Sequence, residues 1–313
     1  MANVFHELQA ITKAFSGLGV DEKAIISIAG KWKHDHKHSF RKASPNHFLA
    51  DKERDFEKWN EQQVELIKHE ALRFKSALVL WTMHPWERDA RFLKEALTKG
   101  PEGYNLLIEI ACSRSSEELL GARKAYHSLF HSSVEEDVAS NVNGHKRKLL
   151  LALVSAYRYE GSRVHDKNAK YDAQALHRAI NNNSSDEDEE LVGILCTRSK
   201  LHIWAVSEHY KQLFGKVLSE EFHGNLNLKA ALECLFIPEV YFSKVLDAAM
   251  REGATDFIQE GLTRVIVSQA DGKMDEIKAA YHKLFGAHLS QKIEETCLGN
   301  FKDFLLTLVA RGD

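Results

Sequence analysis

One apolar ladder, written three times, constrains this chain more than any other feature. Leu119, Ala122, Tyr126, Leu129 and Phe130 stand at steps of three, four, three and one. Ile203, Val206, Tyr210, Leu213 and Phe214 repeat them 84 residues later, and Met274, Ile277, Tyr281, Leu284 and Phe285 repeat them 155 residues after the first. Steps of three and four mark one face of an amphipathic helix. A second apolar segment precedes each ladder: Leu106 to Cys112, Leu191 to Cys196, and Leu262 to Val267. A glycine and a Leu-rich segment follow each one, at Gly144, Gly224 and Gly299. Further helices open at Pro85 and Pro238, 153 residues apart. Proline suits a first helical turn because its missing N–H has no partner there anyway.

These offsets predict an all-α chain built from units of about five helical segments each. Four such units fill the length without a linker, with boundaries at 1–85, 86–160, 161–240 and 241–313. The first copy is the most diverged. Its middle, Lys31 to Asp55, is longer and carries Pro45 where a ladder helix would run. Gly161 to Lys170 is the most polar connection and reads as a short hinge between halves.

Composition narrows the function. Lys and Arg total 42 against 45 Asp and Glu, a formal charge of −3. A constitutive nucleic-acid binder normally carries a basic excess, so nucleic acid is not expected as a partner. The same balance argues against unaided adhesion to an anionic membrane. The start shows no basic segment followed by an apolar one, and no apolar run is long enough to span a bilayer. The four cysteines show no CxxC spacing, so reduced thiols in a cytoplasmic protein are expected.

One loop carries chemistry. Phe15-Ser16-Gly17-Leu18-Gly19-Val20-Asp21-Glu22 has glycines at alternate positions, which permit positive φ and carbonyls that point one way. Asp21 and Glu22 then fall in the first turn of a helix, where its dipole favours them. Calcium takes six to eight oxygens, often including backbone carbonyls. The carbonyls of Phe15, Gly17 and Gly19 can supply three, and a carboxylate from elsewhere two more. The remaining positions would stay open to water or to the phosphoryl oxygens of a lipid. The ion would then supply the positive charge that the side chains lack.

With this loop and the four-fold repetition, the whole chain resembles the annexins, and plant annexins in particular. The words that carry the resemblance are Gly17 to Glu22, Trp81-Thr82-Met83-His84-Pro85-Trp86-Glu87-Arg88-Asp89, Cys112-Ser113-Arg114-Ser115 and Ala156-Tyr157-Arg158-Tyr159-Glu160-Gly161. The resemblance implies four repeats of five helices in a curved disc. It implies a non-enzymatic, calcium-dependent phospholipid-binding protein, cytoplasmic and reversibly membrane-associated. Acidic phospholipid membranes are the implied partners, with actin or another annexin as further candidates, and stress-linked roles are implied as well. In the family's loop, Gly-x-Gly-Thr-Asp-Glu, a later acid completes the site. The matching acid is Glu70, 15 residues before Pro85. The implied metal set is therefore Phe15, Gly17, Gly19 and Glu70. Val20 replaces the family's threonine.

The other copies depart from that pattern. Copy two reads Lys99-Gly100-Pro101-Glu102-Gly103-Tyr104, with Asn141 in the acid's place. Copy three reads Asn181-Asn182-Asn183-Ser184-Ser185-Asp186, with Glu221 as a surviving acid three residues before Gly224. Copy four reads Arg251-Glu252-Gly253-Ala254-Thr255-Asp256, with Thr296 in the acid's place and Glu295 beside it. Plant annexins usually keep sites in repeats one and four, and this chain's fourth copy departs from the pattern, so weaker or less cooperative membrane binding is expected. A loop with one carboxylate suggests a dissociation constant of roughly 10⁻⁴ M or above.

Other constellations read as structure. His34 and His38 share a helical face within Lys33-His34-Asp35-His36-Lys37-His38, which can bind zinc or copper but reads better as a solvated face. Asp186 to Glu190 reads as the acidic first turn of a helix behind a serine cap. Cys112 and Cys234 fall where plant annexins carry neighbouring cysteines, yet inert thiols are expected. Arg311-Gly312-Asp313 reads as chance. No P-loop, Gly-x-Ser-x-Gly or His-Glu-x-x-His occurs. Two alternatives to calcium-dependent binding remain. One is a calcium-independent interaction scaffold, since three of four loops are degenerate. The other is a haem peroxidase, for which Gly30 stands where a histidine is required.

Overall fold

The computed structural model describes residues 2–29, 31–32, 34–51, 56–144, 146–155, 158–181, 188–222 and 225–312. Helices dominate them, as the ladders predict. The first copy contains α1 (Ala2–Ala14), α2 (Glu22–Ala29), α3 (His34–Ala43), a hairpin of β1 (Phe48–Asp51) and β2 (Phe56–Trp59), and α4 (Glu61–Thr82). The second holds α5 (Pro85–Thr98), α6 (Tyr104–Ser113), α7 (Ser116–Phe130), α8 (Val134–Asn141) and α9 (Lys146–Val154). In the third are α10 (Asp166–Asn181), α11 (Glu189–Thr197), α12 (Lys200–Phe214) and α13 (Leu226–Phe236). The fourth contains α14 (Pro238–Ala249), α15 (Asp256–Gln269), α16 (Met274–Phe285), α17 (Leu289–Thr296) and α18 (Gly299–Val309).

Copies two and four thus have five helices each, and copies one and three depart from five for separate reasons. In copy three, Gly215 ends α12 with φ 70°, and nine residues separate it from Gly224. The matching span is thirteen residues from His131 to Gly144 and thirteen from Gly286 to Gly299. About one helical turn is missing, so the fourth helix shrinks to a 3-10 turn over Leu218–Glu220. In copy one, two helices are fused into the 22 residues of α4. Copies two and four break at this point on glycines in the left-handed region, Gly144 with φ 73° and Gly299 with φ 56°. Arg73 stands at that position in copy one. With no Gly or Pro between Glu61 and Thr82, nothing stops the helix.

The hairpin is the element that the all-α reading missed. It pairs Phe48 with Trp59 and Leu49 with Lys58 in antiparallel register. Its aromatic residues explain it. Phe48 and Trp59 pack with ring centroids 4.3 Å apart, and Phe40 meets Phe48 edge-on at 5.6 Å. Phe40 and Phe48 form a small core with Ile11, on which Phe15, Ile25 and Trp32 also pack.

The ladders are core at their first three rungs only. Tyr126, Tyr210 and Tyr281 are fully buried, whereas Leu213 and Leu284 remain 39% and 43% exposed. The closing phenylalanine serves the tyrosine instead. Tyr126 and Phe130, Tyr210 and Phe214, and Tyr281 and Phe285 sit 4.8, 4.9 and 4.8 Å apart by ring centroid. Each ladder helix then ends on a left-handed residue, His131, Gly215 or Gly286.

The repeated Ser-Arg-Ser and Thr-Arg-Ser words also have a structural account. Ser115 and Ser199 cap α7 and α12. The arginine before each reaches a buried aspartate on the first helix of its copy. Arg114 Nε and Nη2 bind Asp89 at 2.6 and 2.8 Å. Arg198 Nε and Nη2 bind Asp172 at 2.8 and 3.3 Å. Such paired charges tolerate burial because each satisfies the other.

The chain forms two compact units, one of Met1–Thr82 with Ser243–Asp313 and one of Met83–Phe242. The stretch expected as a hinge, Gly161 to Lys170, runs inside the second unit. Among the described residues no helix is long and apolar enough to cross a membrane.

Candidate metal centre

The loop after α1 is held by a short parallel bridge to the segment between α17 and α18. Leu18 N–H donates to Thr296 O at 3.0 Å, and Leu298 N–H donates to Leu18 O at 2.8 Å. This closeness explains the glycines. A Cβ on Gly17 would fall 2.9 Å from Leu298, and Gly19 adopts φ 86°. Gly299 is packed closer still, since a Cβ there would lie 2.0 Å from Val20 O. Asp21 then caps α2, its Oδ1 accepting from Ala24 N–H at 3.0 Å.

The bridge sorts the loop's carbonyls. Leu18 O is taken by Leu298, and Val20 O accepts from Glu22 N–H at 3.2 Å. The carbonyls of Phe15, Gly17 and Gly19 accept no hydrogen bond from any described residue. They are the three oxygens expected to face a metal.

Glu70 lies beside this loop. Its Oε2 accepts from Gly19 N–H at 2.6 Å, and the residue is 6% exposed. Loop and acid are therefore together, 51 residues apart in sequence. The carboxylate, however, is already engaged. Arg73, one turn further along α4, donates from Nε to Oε2 and from Nη2 to Oε1, the latter at 2.7 Å. Its Nη2 also donates to Gln259 Oε1 at 2.6 Å. The residues thus fit calcium in kind: three unclaimed carbonyls and a carboxylate, all hard oxygen donors. They do not fit it in this arrangement, because a guanidinium holds both carboxylate oxygens and an amide of the loop faces them. Sequence reasoning missed Arg73 and Gln259. The signal for Arg73 was present, since Asn141, Glu221 and Thr296 are each followed three residues later by glycine.

Among the described residues, no carboxylate is hydrogen-bonded to the loop glycines of copies two and four. In copy two, Gly100–Gly103 form a 3-10 turn, and Asn141 Nδ2 donates to Asp137 O at 2.8 Å. In copy three, residues 182–187 lie outside the described residues, and Glu221 Oε2 pairs with Lys216 Nζ at 2.8 Å. In copy four, Gly253 keeps φ 77°, Arg251 folds back on Asp247, and Thr296 Oγ1 donates to Lys292 O at 2.7 Å.

The remaining constellations are structural. Ser184, Ser185, Asp186 and Glu187 lie outside the described residues, and the cap of α11 is Asp188, whose side chain accepts from Leu191 N–H at 2.9 Å. Gly30 lies outside them as well. Among the described residues no group of three His, Cys, Asp or Glu side chains is placed to hold a metal. All four cysteines are buried free thiols. Burial pushes Cys112 and Cys297 up to about 11 and Cys196 up to about 12, with Cys234 also well above the usual thiol range. Arg311 pairs with Asp271 at 2.9 Å and lies over the Trp81 ring.

Helical repeats with a glycine loop facing an acid from a later helix define a class of repeat protein that presents its inter-helix loops. Comparison then identifies the family. The Annexin family model matches residues 88–153, 171–227 and 241–308, so the copy with the glycine loop lies outside the matched segments. The chain is 49% identical to annexin D4 of Arabidopsis thaliana over 98% of both proteins. It is 37% identical to the annexin-like protein RJ4 of Fragaria ananassa, over 98% of this chain and 96% of that protein. Among solved structures it superposes on annexin III with a TM-score of 0.70 at 26% identity, covering 97% of this chain and 92% of that one. This chain belongs to the annexin family.

Proposed function

We propose that the protein is a peripheral, non-enzymatic phospholipid-binding protein whose membrane contact responds to calcium through the first-copy loop. Phe15, Gly17 and Gly19 would offer carbonyls, and Glu70 the carboxylate. The observation that carries this reading is the meeting of Gly19 and Glu70 at 2.6 Å, with three carbonyls beside them left unclaimed. Family membership supports it. The pairing of Glu70 with Arg73 implies a high calcium requirement, because the guanidinium must release the carboxylate first.

The same pairing favours a second reading, a calcium-independent scaffold in which Arg73 permanently takes the place of an ion. Co-sedimentation with phosphatidylserine liposomes separates the two. Calcium-dependent pelleting that Glu70→Gln abolishes is the result expected for the first reading. Pelleting that is unchanged in chelator supports the second. Calcium-dependent pelleting that survives Glu70→Gln moves the function to another loop.

A further inference from the structure

The second unit contains a cavity of about 240 Å³ between the connection that precedes α10 and the start of α12. Arg163, His165 and Asn168 line one side, and Arg198, Ser199 and His202 the other. Among the described residues no Asp or Glu lines it. The acid behind it is Asp172, buried at 2% exposure and held by Arg198 Nε, Arg198 Nη2 and His202 Nε2. Arg198 is thus balanced by Asp172 and keeps only Nη1 unbonded, whereas the guanidinium of Arg163 has no partner among the described residues and is the unpaired positive charge. The two acids nearest in sequence are engaged elsewhere. Glu160 accepts from Ser116 N–H at 2.7 Å, and Asp166 pairs with His209 at 2.7 Å.

The remaining wall has the same polarity. Ser199 caps α12, a helix of 15 residues, so the positive end of its dipole faces the cavity. Ser199 is 3% exposed and His202 7%, and both are fixed in place: Ser199 Oγ accepts from His202 N–H at 3.1 Å, and His202 Nε2 bonds Asp172 at 2.9 Å. At the rim, Tyr159 is 55% exposed. Its ring lies against Gly161, where a Cβ would fall 1.9 Å from Tyr159 Oη.

The free guanidinium fork of Arg163, the unbonded Nη1 of Arg198 and a helix start around one small cavity suit a phosphoryl group, which an arginine fork binds bidentately. The volume is below the roughly 300–1,000 Å³ of drug-sized sites. It suits a phosphoryl group and a few further polar atoms, with Asn168 available to a hydroxyl. We propose that this cavity is a binding site for a phosphate monoester of a small polyol. It is independent of calcium and of the first-copy loop. The ester is either a soluble metabolite or the exposed headgroup of a phosphatidate-type lipid.

The test is calorimetric titration of the full chain in chelator with glycerol 3-phosphate and with inorganic phosphate. It includes Arg163→Gln, a surface change that breaks no contact. Saturable binding of glycerol 3-phosphate, competed by inorganic phosphate and weakened about tenfold by Arg163→Gln, is the expected result. Vesicles of phosphatidylcholine with phosphatidic acid then assign the source. Displacement of glycerol 3-phosphate by them marks the lipid headgroup, and no displacement marks the soluble ester. The proposal is overturned if neither probe gives saturable binding up to about 10 mM, or if Arg163→Gln binds as the native chain does. Because calcium is absent throughout, this result is independent of the liposome result above.

Discussion

Arg73 holds both carboxylate oxygens of Glu70 from three residues along the same helix, at a position where the other copies carry glycine. Both residues are 6% exposed, so the pair is shielded from water. The guanidinium stands where an ion would otherwise balance the charge. In one substitution the first copy gains a continuous helix and a tethered cation.

Replacing Arg73 by glycine removes both. Leaving Glu70 buried without its partner costs about 3–5 kcal/mol. Arg73→Gly is therefore expected to melt well below the native chain in chelator and to regain much of that loss in millimolar calcium. The native chain shifts little. Thermal melts with and without calcium check this, and equal calcium responses in the two proteins would contradict it.

Two of the ladder tyrosines offer a graded pair. Tyr126 Oη donates to Asp137 at 2.5 Å, while Tyr281 Oη reaches Asp247 only at 3.5 Å. A bond to a carboxylate contributes about 1.5–3 kcal/mol. Tyr126→Phe is expected to lose an amount in that range and Tyr281→Phe clearly less, as read from urea midpoints.

His131 ends α7 at φ 59°, where Gly215 and Gly286 end the equivalent helices. A side chain strains that conformation and glycine does not. His131→Gly is expected to raise stability by about 0.5–1 kcal/mol, a gain measurable by denaturant titration. A loss of stability would show that the imidazole contributes more than the strain costs.

The thiols are expected to be inert. Burial raises Cys112 up to about 11, so the reactive thiolate is scarce at neutral pH. Thiol reagents are expected to label four cysteines per chain only after denaturation. Rapid labelling of the native chain at pH 7.5 would revive a redox role for Cys112 and Cys234.

His47 gives the first unit an acid sensitivity. Burial holds its imidazole below the ordinary range, and its Nδ1 is buried without a hydrogen bond. The folded state therefore resists protonation more than the unfolded chain. Its contribution is complete above the unfolded value near 6.5 and is lost as pH falls through the lower folded value. Between pH 7 and 5, His47→Phe is expected to lose less stability than the native chain, by urea titration at each pH.

Much of this protein was legible before any coordinates. The Tyr-x-x-Leu-Phe ladders determined helices and repetition, because burial on one face enforces a period of 3.6 whatever the neighbours are. The offsets determined the family-like order, and the alternating glycines marked the loop that meets Glu70. What only the tertiary structure decided is the state of that meeting. A carboxylate's availability depends on every donor within about 3 Å of it, and those donors come from two separate stretches of chain, Gly19 and Arg73, while Gln259 from a third accepts from Arg73 and steadies it. The hairpin of copy one was hidden for a related reason. Four-residue strands carry too little periodicity to announce themselves, and it is the packing of Phe40, Phe48 and Trp59 that holds them.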